Sequence, residues 1–340
     1  MGGDHAPRVV VEGAEIARTR YPKLRFVFYG DSGALKPLLA IYPALAASST
    51  VVHTDVCVAG DEKPSLALRK GRNSSMRLAI DAVHEGAACA AVSAGNTGAL
   101  MAMSKVVYKT LPGISRPAIV GLVPTPRGRS VMLDLGANVE ADAATLFQFA
   151  IMGDAFARAV LGIARPSVGI LNVGSEEIKG HEEVKVAHGM LRQAGDFLNF
   201  HGFVEGTDIN HGTTDVVVAD GFTGNIALKT LEGMALLWHH HLGRMLAHSW
   251  VSKFAALLLR PGLQKISQEM DPRHYNGAMF IGLNGITVKS HGSTDGYGFA
   301  NAIGVAIELA THHVNQKIIE EIKNSSIITE GEDTQINHNS

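Results

Sequence analysis

The chain has little cysteine, little net charge and no long apolar run, and each scarcity excludes a class of protein. Its two cysteines, Cys57 and Cys89, both fall in apolar runs and are expected as reduced core thiols, not as parts of a disulfide framework. Thirty basic against 32 acidic residues leave a formal charge of −2, which argues against a general nucleic-acid binder. No run of 18 apolar residues and no signal peptide is present, so the expected protein is soluble and cytoplasmic, or rests on a membrane surface. The sequence also lacks a G-x-G-x-x-G fingerprint after a strand, a Walker loop, a G-x-S-x-G elbow and an H-E-x-x-H pair. Among 16 histidines none forms a credible metal cluster, because successive helical side chains such as 239–241 diverge by about 100° each. No metal and no cofactor is implied.

What the chain has in quantity is glycine, 37 residues, many placed just after apolar runs. Residues 88–93 read as a buried strand, 94–98 (AGNTG) as a turn and 99–109 as an amphipathic helix. Strand, glycine turn and helix together aim backbone N–H groups and a helix dipole at one spot, which suits an anion. There Gly95 and Gly98 allow close approach, and Asn96 and Thr97 add side-chain hydrogen bonds. The plainer alternative is an ordinary turn with Thr97 as the helix cap.

The same pattern recurs. Residues 1–7 form a glycine turn with no strand before it, so a first strand is expected to be missing. Strands are expected at 24–29, 50–56, 130–135, 167–172, 215–220 and 285–288, with glycine loops at 136–138, 174–180, 221–225 and 289–293. Such alternation predicts βαβ units, a mostly parallel sheet and loops gathered at its carboxyl end. That repetition favours the anion-site reading. A helix at 242–260, closed by Pro261-Gly262, carries Leu246, Trp250, Phe254, Leu257 and Leu258 on one face. It is either a packed or dimer-forming helix, or a basic, apolar projection at about 236–275 that meets an acidic partner or a membrane. A helix at 300–322 closes a single domain of residues 1–323, and 324–340 reads as a disordered polar tail.

The segments SAGNTGALM, LDLGANVE, LNVGSEEIKG, DGFTGNIALKT and NGITVKSHGSTDG occur in this order and closely resemble the bacterial phosphate acyltransferases of phospholipid synthesis, the PlsX proteins. The resemblance covers about residues 1–322. It implies a Rossmann-like α/β/α sandwich related to phosphate acetyltransferases and to isocitrate and isopropylmalate dehydrogenases. It further implies a homodimer that converts acyl-ACP and inorganic phosphate to acyl phosphate and free ACP. The product would pass to a membrane acyltransferase for glycerol 3-phosphate, and the enzyme itself would touch the membrane peripherally.

For that reaction the expected catalytic side chains are Lys179, Asn225, Lys289 and His291. Phosphate would sit on Gly95, Asn96, Thr97 and Gly98, with Asp4, Asp134, Asn138 and Asp220 in support. Because ACP is acidic, Arg244, Lys253, Arg260, Lys265 and Arg273 are the expected docking or membrane contacts. Competing readings are an acyl-CoA-dependent phosphate acetyltransferase, a hydroxy-acid dehydrogenase of the same fold and a non-catalytic membrane scaffold.

Overall fold

A computed structural model describes residues 1–269, 273 and 277–336. Its first third comprises α1 (Arg8–Arg20), β1 (Phe26–Gly30), α2 (Ser32–Ala40), α3 (Pro43–Ala47), β2 (Ser49–His53), α4 (Pro64–Lys70), α5 (Ser75–His84), β3 (Ala91–Ser93) and α6 (Thr97–Tyr108). Then come β4 (Ala118–Thr125), β5 (Gly128–Leu133), α7 (Ala143–Phe156), β6 (Ser167–Leu171), α8 (Glu182–Gln193), β7 (Asn199–Val204), α9 (Gly206–His211) and β8 (Val216–Val218). The last third holds α10 (Gly221–Ala247), α11 (Trp250–Glu269), β9 (Ala278–Ile281), β10 (Thr287–Lys289), α12 (Gly296–Thr311) and α13 (Val314–Ile336).

Eight strands form one sheet in the order β3-β10-β9-β4-β5-β8-β6-β7, and β1 pairs with β2 separately. Five of the eight strand pairings are parallel; β10–β9, β9–β4 and β4–β5 are antiparallel. The direction reverses because Thr125 pairs with Gly128 across Pro126-Arg127, a two-residue hairpin that brings β5 back beside β4. The expectation that all glycine loops gather at one edge is therefore corrected: those after β3 and β10 leave one way, and those after β5, β8 and β6 leave the other. The strands share one transverse row, Val92–Val288–Met279–Val120–Leu133–Val218–Ile170–Phe203. Each loop starts within a few residues of that row.

Two helical layers cover the sheet. On one face, α7 is apolar all round and is buried accordingly, packing with residues of α8 and α13 against β5, β6 and β8. Residues Ala143–Leu161 are long and apolar enough to cross a membrane, but 67% of that window is buried in this core. On the other face, α5, α6 and the first turns of α10 cover Ile119, Met132 and Phe280. A third cluster joins α1, α2, α3 and α12 to β1. Arg158 staples α13 to α7, lying 2.8 Å from Asp154 and 2.6 Å from Glu321. Burial pushes the Asp154 carboxyl up to about 6 and Glu321 adds to this, while Arg158 pulls the other way.

Several expectations are corrected here. The helix expected over 242–260 is two helices, because Ser249 Oγ accepts the Ser252 N–H at 3.1 Å and starts α11 afresh. Pro261 does not end α11; it lies inside it, where a proline removes one backbone donor. The closing helix is split into α12 and α13, and α13 runs on to Ile336, so the expected tail is helical up to that residue; 337–340 lie outside the described part. Cys57 and Cys89 are both exposed, since β2 ends at His53 and β3 begins only at Ala91.

Candidate active site

Three glycine-bearing segments meet where β3 and β10 end. A Cβ on Gly2 would lie 2.7 Å from Gly95 Cα, so the N-terminal loop lies directly on the turn after β3. The Asp4 N–H donates to Gly292 O at 2.9 Å, and the Ser290 N–H to Ser93 O at 2.9 Å. Between them the half-buried Lys289 ammonium donates to Ala94 O and Ser290 O. Burial lowers its pKa to about 8; Asp4 opposes that shift and the charge of Lys229 adds to it. Two carbonyls are poor compensation for a desolvated cation, so this position favours an incoming anion.

Beside it the first turn of α6 differs from expectation in one respect. Asn96, not Thr97, is the cap: its Oδ1 accepts the Ala99 N–H at 2.9 Å, and its Nδ2 donates to Gly60 O and Glu62 O, each at 2.9 Å. Both ends of the amide are used in binding α6 to the 59–62 loop. Thr97 and Gly98, both exposed, begin the helix, and their N–H groups have no carbonyl one turn back. The groups this turn offers to an anion are therefore its backbone N–H groups. His291 is exposed, with Nδ1 2.9 Å from Ser293 Oγ.

The turn after β5 is organised by Asp134, which is wholly buried. Its carboxylate accepts from the N–H groups of Ile119 (2.9 Å), Gly136 (3.2 Å), Ala137 (3.0 Å) and Asn138 (2.7 Å), and from Asn138 Nδ2 (2.9 Å). Burial raises its pKa, and those donors oppose the rise. Asn138 Nδ2 also donates to Pro117 O at 2.8 Å, so both residues are committed to the turn. Asp220 caps α10, accepting from the Thr223 N–H and hydroxyl. A Cβ on Gly224 would overlap Asp134 O, so only glycine lets α10 come this close. That approach sets Asn225 over Gly136, where an added Cβ would be 3.7 Å from Asn225 Oδ1.

Lys179 belongs to a separate loop after β6. Its ammonium pairs with Glu176 at 2.8 Å, which raises its pKa, and its carbonyl accepts from Asn172 Nδ2 at 3.0 Å. No contact joins it to Lys289 or Asn225 among the described residues.

Of the expected docking residues, Arg244 and Arg260 are exposed on the α10–α11 hairpin. Arg273 is exposed as well, pairs with Asp295 at 2.8 Å and, like Arg20, lies over the Tyr297 ring. The side chains of Lys253 and Lys265 lie outside the described part. The hairpin exposes Trp238, Met245, Trp250, Phe254, Leu257, Leu258 and Leu259, with Trp250 81% exposed.

A family model described as "Fatty acid synthesis protein" matches residues 1–317. The phosphate acyltransferase of Rhodospirillum centenum is 61% identical over 322 residues, 95% of this chain and 91% of that one. That of Parvibaculum lavamentivorans is 53% identical over 330 residues, covering 97% and 91%. Among solved structures, a phosphotransacetylase from Streptococcus pyogenes superposes with a TM-score of 0.60 at 18% identity, covering 90% of this chain and 92% of its own. A branched-chain phosphotransacylase from Enterococcus faecalis gives 0.56 at 14% identity, covering 92% and 98%. These two likenesses show a common fold.

Proposed function

This chain belongs to the fatty acid synthesis protein family, and from that membership we propose that it is a phosphate acyltransferase acting on acyl-ACP. A phosphate oxygen attacks the thioester carbonyl, the new C–O bond forms and the C–S bond breaks. The products are acyl phosphate and the ACP thiol. Phosphate is already a competent nucleophile, so no covalent enzyme intermediate is required and the protein's task is positioning and charge stabilisation.

Lys289 and the N–H groups of Thr97 and Gly98 hold the phosphate. Asn225 faces the developing oxyanion, with Asp134, Asn138 and Asp220 fixing its helix. His291 delivers a proton to the departing thiolate. Lys179 supplies further positive charge from the β6 loop when substrate draws it from Glu176. The observation that carries this reading is the desolvated Lys289 ammonium beside a helix start with open N–H groups.

The protein works in the cytoplasm as a homodimer, with the α10–α11 hairpin resting on the inner face of the membrane and Arg244 and Arg260 meeting ACP. Its product passes to a membrane enzyme that acylates glycerol 3-phosphate. The test is turnover of long-chain acyl-ACP with and without inorganic phosphate, following free thiol and hydroxylamine-trapped acyl phosphate together. Equal, phosphate-dependent release of both supports the transferase. Thiol release without phosphate would identify a thioesterase, and no release would leave the scaffold reading.

A further inference from the structure

Val27, Phe28 and Tyr29 of β1 line one cavity together with Val92 and Ser93 of β3 and the following Ala94. Side chains alternate between faces along a strand, so a cavity that touches successive residues runs along the strand's edge. Both edges are open: among the described residues β1 pairs only with β2, and β3 only with β10.

The Phe26 N–H donates to Ser48 O at 3.1 Å, and Gly30 O accepts from the Thr54 N–H at 3.0 Å. Phe26, Phe28 and Gly30 thus turn their backbone groups to β2, while Val27 and Tyr29 turn theirs to the cavity. On the far side the Ala91 N–H donates to Ile286 O and Ser93 O accepts from the Ser290 N–H, each at 2.9 Å. Val92 is left facing the same gap. Met76 of α5, in the layer with α6, covers one face of the gap, and Phe299 of α12, in the opposite layer, covers the other. Open edges between two helical layers are the surroundings of an interior parallel strand, apolar on both faces.

The first residues mark its direction. A Cβ on Gly30, the last residue of β1, would collide with the Met1 side chain, and one on Gly2 would lie 2.7 Å from Gly95 Cα, just past β3. Both strands therefore end where Met1 lines the gap. Burial lowers the pKa of the Met1 amine, with Cys57 opposing, so a neutral amide suits that position better than an ammonium.

We propose that this gap is a strand-acceptor site. It takes an extended apolar segment as long as the five residues of β1, joined through the Met1 nitrogen and parallel to β1 and β3. The segment pairs with Val27 and Tyr29 on one side and with Val92 on the other. The two sheets then become one, in the order β2-β1-segment-β3-β10. Its seating also reaches the proposed phosphate site. Gly2 lies on the Gly95 turn and the Asp4 N–H donates to Gly292 O at 2.9 Å, so a seated segment pins residues 1–4 across the turns after β3 and β10. The docking does not depend on the acyltransferase reading, which supplies only one of the assays.

Two extended proteins would be compared with the unaltered chain, one carrying Val-Ile-Val-Ala-Val on the Met1 nitrogen and the other Gly-Ser-Gly-Ser-Gly. Hydrogen exchange at the Val27, Tyr29 and Val92 amides should slow roughly tenfold or more in the first and stay unchanged in the second. The first should also gain roughly 5 °C or more in Tm. Its KM for phosphate should fall about threefold or more, because the loop over the site is held. Exchange at those three amides as fast as in the glycine-serine protein would overturn the inference, even with a raised Tm, since the segment would then lie elsewhere. Equal protection by the free pentapeptide added to the unaltered chain would overturn the joined source and assign the gap to a separate chain. If no protein makes acyl phosphate while those amides are protected, the acyltransferase reading fails and the acceptor site stands. If acyl phosphate is made and the amides stay unprotected, the site fails and the reading stands.

Discussion

Asn138 donates twice to Asp134, from its backbone N–H at 2.7 Å and from its side-chain Nδ2 at 2.9 Å, so one buried carboxylate holds the whole turn after β5. With three more N–H groups aimed at the same carboxylate, Asp134→Ala removes the acceptor of five donors, those of Ile119 and Asn138 in buried surroundings. Unfolding in urea should show a loss of about 3 kcal/mol or more. Asp134→Asn should be nearly as costly, since an amide nitrogen would face N–H groups. A loss under about 1 kcal/mol would mean that the turn is held by other contacts.

With burial lowering its pKa to about 8, the Lys289 ammonium should set the upper pH limit of phosphate use. The protonated form would bind the anion, so kcat/KM for phosphate should fall as pH rises through that value. Lys289→Met should remove this limb and lower turnover by ~10²–10³. A limb that survives the substitution would assign the titration to another group.

Asp154 predicts a pH dependence of stability with the opposite sign to the familiar acid denaturation. Its folded-state pKa of about 6 exceeds the ordinary 3.8, so the folded chain holds a proton that the unfolded chain has released. Its contribution to stability is therefore greatest below about pH 4 and declines as pH rises to about 6. One proton limits the slope to about 1.4 kcal/mol per pH unit. Asp154→Asn should flatten the stability curve in that window, as read by denaturant midpoints at half-unit steps of pH.

Variants of the apolar hairpin should separate the proposed membrane contact from chemistry. Replacing Trp250 by Ala and Leu258 by Ser removes two of its most exposed apolar side chains while touching none of the proposed catalytic groups. Sedimentation with anionic liposomes should fall several-fold, since each buried apolar side chain contributes about 1.5–3 kcal/mol. Turnover of acyl-ACP free of membrane should stay near normal. Equal sedimentation would assign the hairpin's apolar face to another partner, a second copy of this chain foremost.

Glycine punctuation made the alternating units legible, and with them the turn at 94–98 and the loops carrying Asp134, Asn225 and Lys289. The reversal of the sheet was not, because β4, β5 and β9 carry no residue signal of strand direction beyond the two-residue Pro126-Arg127 turn. The capping role of Asn96 was hidden for a related reason. A cap and an anion ligand demand the same residue type, and only the 59–62 loop, 34 to 37 residues away, decides which role the amide fills. Ser249 was hidden in an apolar pattern that continues unbroken across it. The cysteines were judged by apolar neighbours, whereas exposure depends on where the strands begin and end.

β3 and β10 pair Ala91 with Thr287, nearly 200 residues apart, and the Lys289 ammonium reaches back to Ala94 O. Closing so long a loop is slow, and few local contacts offset its cost beforehand. On the ribosome the α6 turn is made early, but it acquires no partner cation until the final sixth of the chain has emerged. The growing polypeptide can thus fold much of its core while the proposed anion site remains half-built. Any copy that stops short of Lys289 should lack that site's cation however much of its core has formed.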